Sequence, residues 1–102
     1  MTLWSKIRSL ISGIGDSRVR VDIASSINFL FDLFRHGQIT EEQLKKELTN
    51  ICRSVIEITN PLIPEDEVSM RAEVIADDLI RTMKVESIHY RVRARLRSLL
   101  PP

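Results

Sequence analysis

The sequence predicts an all-α protein: a compact bundle of four or five helices forming a single domain over residues 1–102. Three observations carry this. Glycine and proline fall almost entirely between the periodic segments, where helix breakers cost least. Apolar residues within those segments recur at steps of three and four. The chain is 43% hydrophobic and 28% charged, the balance of an ordinary globular domain with one small core. Trp4, Phe29, Phe31, Phe34 and Tyr90 are the only aromatic residues, so Ile and Leu must supply most of that core. A domain this short buries a modest share of its surface, and a partner or dimer interface would supplement it.

The first helix is expected over residues 2–12. Leu3, Ile7, Leu10 and Ile14 follow helical spacing, flanked by Trp4 and Ile11, with Ser5, Lys6, Ser9 and Ser12 opposite. Gly13 and Gly15 stop it, and Asp16 or Ser17 caps the next helix. The second helix, residues 18–35, carries Val19, Ile23, Ile27, Leu30 and Phe34 on one face, widened by Ala24, Phe31 and Leu33. Its apolar density makes it the expected centre of the bundle. Phe29 falls outside the main stripe.

His36, Gly37 and Gln38 break the chain, and Thr40 with Gln43 forms a capping box. The third helix turns Leu44, Leu48, Ile51, Cys52, Val55 and Ile58 inward. Glu41 with Lys45, Glu42 with Lys46 and Arg53 with Glu57 stand four apart on its wet side, each pair worth tenths of a kcal/mol. Asn60 and Pro61 end it. Pro64 opens the fourth helix, and Glu65, Asp66 and Glu67 complement its dipole. Val68, Ala72, Ile75, Ala76, Leu79 and Met83 make its core face.

No glycine or proline follows until Pro101, so residues 65–100 are chemically able to form one helix. The phase of the apolar residues points the other way. Ile88, Val92, Leu96 and Leu99 lie about 200° around from the core face. A break near Val85, Glu86 and Ser87, with Ser87 as N-cap of a fifth helix, is the economical expectation. The alternative merges the last two helices into one long helix with two faces. Met70, Val74, Val85, Ile88, Val92, Leu96 and Leu99 then form a second stripe, best explained by a dimer. A strand over the alternating segment is set aside, because Ala, Arg and Leu favour helix and no sheet partner exists.

Arg91, Arg93, Arg95 and Arg97 stand at every second position in a chain of formal net charge +1. Basic charge concentrated in one element suggests a surface that meets something acidic. Guanidinium groups grip phosphates, so these four residues are the candidate nucleic-acid contacts. The competing expectation pairs them with Glu73, Asp77 and Asp78 of the fourth helix. A domain net charge near zero is not the footprint of a strong nucleic-acid binder.

No constellation points to catalysis. Glu73 and Asp77 lie one turn apart, but Arg81 stands within salt-bridge spacing and no His is at ligand spacing. Residues 32–43 have an EF-hand outline, with Asp32 first and Gly37 sixth. Phe34, His36 and Gln43 then occupy places that need oxygen ligands or a bidentate Glu. The same corner resembles a helix-turn-helix in shape only, since Glu41 and Glu42 would repel phosphates. Gly13, Ile14 and Gly15 lack the rest of a dinucleotide fingerprint. Cys52, the only cysteine, reads as a small core residue in a reducing, cytoplasmic compartment. Arg supplies eleven of fifteen basic residues, a compositional hint of a heat-loving source. The first helix is amphipathic, but two cations and several serines make docking on its own bundle a better account than membrane contact.

The expectation is therefore a non-enzymatic interaction module, an adaptor or accessory subunit, with self-association through the second stripe. No cofactor, metal or small-molecule substrate is indicated. Candidate partner contacts are Phe29, Met70, Val74 and Tyr90. The alternative is a nucleic-acid-binding protein working through Arg91, Arg93, Arg95 and Arg97.

Overall fold

The computed structural model describes residues 2–99, with the side chains of residues 90–94 and 98 outside what it describes. Four helices make up its regular structure: α1 (Leu3–Ile11), α2 (Ser17–Arg35), α3 (Glu41–Thr59) and α4 (Glu65–Leu99). Each of the first three begins where a side chain satisfies an orphan N–H. Thr2 accepts from Ser5 at 3.1 Å and Asp16 from Arg18 at 2.8 Å. Thr40 and Gln43 form the expected capping box, each accepting the other's backbone N–H at 3.1 and 2.9 Å. α4 opens on Pro64, whose carbonyl accepts from Val68 N–H at 3.0 Å, and three acids fill its first turn. Between α2 and α3, Gly37 takes φ +73°, a left-handed turn that only glycine adopts without strain.

The helices form an all-α bundle in which α1–α2, α2–α3, α3–α4 and α4–α1 are neighbours. α2 and α4 therefore stand diagonally, with the core between all four. α1 and the turn after it contribute Leu3, Ile7, Ile11 and Ile14. α2 adds Ala24, Ile27, Leu30 and Phe31; α3 adds Leu44, Leu48, Cys52, Val55 and Ile56; α4 adds Val68, Ala72, Ala76, Leu79, Ile80 and Met83. The most extensive contact is α3 on α4. It is a close one because Cys52, Ala72 and Ala76, all fully buried, put little bulk between the two backbones. Gly13 serves a similar purpose at the α1–α2 turn, where an added Cβ would come within 3.2 Å of Thr59 Cγ2.

Three expectations are corrected. α2 is not the centre: Val19, Ile23, Leu33 and Phe34 stay half-buried, and the densest packing lies on the α3–α4 seam. On α3, Ile56 is buried and Ile58 is exposed: the two flank the stripe of Leu44, Leu48, Cys52 and Val55 on opposite sides, and only the Ile56 side is covered. There is no break at Val85, Glu86 or Ser87. α4 runs unbroken for 35 residues, the merged form of the last two helices. At 1.5 Å per residue it is about 52 Å long, and it sets the 58 Å long axis of the molecule. Its far end projects past the bundle, which raises the radius of gyration to 15.5 Å against about 13 Å for a compact chain of this size.

Candidate functional site

α4 has two apolar faces. One is the core face, from Val68 to Met83. The other points away from the bundle and carries Met70, Val74, Val85, Ile88, Leu96 and Leu99, each between 53% and 74% exposed. The phase that suggested a helix break instead marks a second surface on one helix. A lone exposed apolar side chain is normal; a series of them in helical register is not.

The flanks of α4 show why this face stays open. On one flank Lys6 Nζ of α1 lies 2.7 Å from both carboxylate oxygens of Asp78, and Leu3 N–H donates to Glu86 Oε1 at 2.8 Å. On the other flank Lys45 of α3 reaches Asp77 at 3.4 Å, Lys84 pairs with Glu41, and Arg53 pairs with Glu65. Glu41, Lys45 and Arg53 thus turn to α4, replacing two of the within-helix pairs expected from spacing. α3 and α4 lie side by side, so their facing edges bring these oppositely charged ends together. With α1 and α3 on its flanks and the core beneath, only the outer face of α4 meets solvent.

Asp77 and Arg81 sit in the middle of that face, between Met70 and Val74 on one side and Val85 and Ile88 on the other. Arg81 is held loosely, 3.8 Å from Asp78. The distal arginines are the other charged feature. Arg95 and Arg97 are exposed, while the side chains of Tyr90, Arg91 and Arg93 lie outside the described residues. The continuous helix removes the expected pairing of Arg95 and Arg97 with Glu73, Asp77 and Asp78. Arg95 stands about 27 Å along the axis from Asp77, far beyond ion-pair reach.

Met70 and Val74 are therefore brought together on one surface, and Val85 and Ile88 extend it. Phe29 is 62% exposed but belongs to α2, diagonal to α4, and is not part of this surface. A second exposed apolar region was not expected from the sequence. Trp4 and Val21 border an open groove of about 670 Å³ between α1 and α2, with Arg8 and Arg20 on its walls. Arg20 is held there by the carbonyls of Ile14 and Gly15. The groove depends on the angle between two helices, which periodicity does not encode.

Among the described residues, no three His, Cys, Asp or Glu side chains gather as a metal set. Asp32, first in the EF-hand outline, is bound to Arg35 at 2.7 Å. Burial pushes the Cys52 thiol up to about 12, so it stays protonated and unreactive. No helix among the described residues is long and apolar enough to cross a membrane. Comparison with known proteins finds no matching family model, no similar curated protein and no similar solved structure.

Proposed function

We propose that this protein is a non-enzymatic interaction module, an adaptor or accessory subunit of a larger assembly, and that it binds through the outer face of α4. One observation carries the reading: a single helix supplies the core with one face and offers six exposed apolar side chains on the opposite one. Charged side chains interrupt that face without covering it. The lone buried cysteine supports a reducing, cytoplasmic setting.

The reading is tested with Met70→Lys and Ile88→Lys combined. Both side chains are exposed, so helicity and melting temperature should hold. Chemical cross-linking in cell extract should give species heavier than the 11.8 kDa chain with the native protein and not with the variant. A native chain that remains at 11.8 kDa, both purified and in extract, would overturn it.

A second reading is binding to a nucleic-acid backbone through the distal arginines. It is favoured by the exposure of Arg95 and Arg97 at the far end of α4. Four phosphate contacts would give a log–log salt slope of about −3 to −4. That slope should collapse when Arg91, Arg93, Arg95 and Arg97 become Ala. No binding to duplex DNA or single-stranded RNA at low salt sinks this second reading.

A further inference from the structure

We propose that the outer face of α4 is completed by the same face of a second copy, laid antiparallel about a two-fold axis level with Leu79. This rests on the interaction-module reading and names its partner. The order of charge along the helix selects that partner. On the edge of the stripe nearest α3, the first half carries Asp66, Glu73 and Asp77. The second half carries Lys84 and, at register position 95, an arginine. An edge that is acidic first and basic second is complementary to itself when reversed.

The residues then fall into register. Met70 of one copy lies level with Ile88 of the other, and Val74 within one residue of Val85. Asp77 lies level with Arg81, and Glu73 within one residue of Lys84. Each contact occurs twice, as a two-fold requires. A parallel two-fold would turn this edge towards the partner's opposite edge and leave its charge order without its complement, and it would set Arg81, nearer the middle of the stripe, against its own copy, a costly like-charge contact. Arg81, halfway along the apolar seam, and Asp77 beside it on the edge would fix direction and register, as isolated polar residues do between paired helices.

The existing partners of these groups do not stand in the way. Among the described residues Glu73 has no ion pair. The Lys45–Asp77 and Lys84–Glu41 pairs are about half exposed and hold each side chain only lightly. The seam from Met70 to Ile88 spans about 27 Å, five helical turns. Beyond it, Leu96 reaches the level of the second copy's α3–α4 turn. Leu62 lies in that turn, 95% exposed. The projecting end of α4 would then run along a second bundle instead of into solvent.

Three measurements on the full chain test this. Sedimentation equilibrium should give twice 11.8 kDa. Glu73→Lys or Lys84→Glu alone should raise the dissociation constant at least about tenfold, and the two together should restore it, because each swapped pair is again opposite in charge. Melting of each variant at dilution checks that the fold survives. Finally, a chain with Val74→Cys mixed with one carrying Val85→Cys should oxidise mainly to the mixed pair. A native chain still monomeric at about 100 µM overturns the inference. If cross-linking in extract still depends on Met70 and Ile88, the interaction reading survives that loss. A dimer in which the residue 74 cysteines join each other, or in which the double charge swap does not rescue, also overturns the antiparallel register.

Discussion

The backbone N–H of Leu3 donates to Glu86 Oε1 at 2.8 Å, joining residues 83 positions apart. The first turn of α1 thus meets a carboxylate from α4 at the level where α4 leaves the bundle. Two effects act together there: an orphan donor is satisfied, and negative charge sits at the positive end of a helix. With the Lys6–Asp78 pair one α1 turn further on, this contact sets the position of α1 along α4.

Glu86→Ala should therefore destabilise the fold by about 1–2 kcal/mol, since a charged acceptor is lost from a partly buried N–H. Glu86→Gln keeps an acceptor and should lose less. The melting temperature would fall by about 4–8 °C for each kcal/mol in a domain of this size. A Glu86→Ala chain that melts with the native one would show that α1 docks through Leu3, Ile7 and Ile11 alone.

Thr40 tests the start of α3. Its side chain is exposed and its hydroxyl accepts from Gln43 N–H, so its contribution is the cap and not packing. Thr40→Ala should cost about 1 kcal/mol, and Thr40→Ser or Thr40→Asp should recover most of it. Urea unfolding of the three variants decides the matter. Equal losses for Ala, Ser and Asp would mean that the methyl group of Thr40 matters more than its oxygen.

The elements that read well from the sequence are those fixed by local chemistry. Asp16, Thr40 with Gln43 and Pro64 each satisfy or remove a backbone donor within a few residues, so the starts of α2, α3 and α4 were visible before any packing was known. The core of α4 was visible for the same kind of reason, a single stripe from Val68 to Met83. What could not be read were relations between helices. Spacing pairs Lys45 with Glu41 in their own helix, yet α4 lies alongside and takes both. α2 looked central because it is rich in apolar residues, but the small side chains Ala72, Ala76 and Cys52 allow the closer approach, and they place the tightest seam between α3 and α4. The phase change after Met83 implies a break only if a helix has one apolar face; the alternative, one long helix with two faces, is the form α4 takes. On the candidate surface, helical spacing alone sets Met70 and Val74 on one face of α4. Phe29 was grouped with them because sequence cannot show that α2 stands diagonal to α4.

Cys52 gives the fold a dependence on alkaline pH. Burial raises its thiol from an ordinary value near 9 to about 12. Between those values the unfolded chain loses the proton while the folded chain keeps it, so the unfolded state binds fewer protons. Stability must then fall as pH rises from 9 towards 12, by at most about 1.4 kcal/mol per pH unit. The advantage of the native chain over Cys52→Ala should shrink across pH 9 to 11, a comparison that cancels the lysines and Tyr90. Iodoacetamide at pH 8 should leave Cys52 untouched until denaturant is added. Modification of the folded chain at the rate of the unfolded one would mean that the α3–α4 seam opens readily.

Ser87 separates the two accounts of α4 by the sign of one substitution. It is 5% exposed, inside the helix, and among the described residues its hydroxyl has no hydrogen-bond partner. An unsatisfied buried hydroxyl costs about 1–3 kcal/mol, and serine is a poorer helix former than alanine by several tenths. Ser87→Ala should therefore stabilise the protein, by about 1 kcal/mol once the lost packing of the oxygen is allowed for. Were Ser87 instead the N-cap of a separate fifth helix, the same change would remove a capping oxygen and destabilise by a similar amount. Urea unfolding of native and Ser87→Ala chains at a concentration where both are monomeric reads the sign directly. A gain places Ser87 inside one continuous helix; a loss would restore the break.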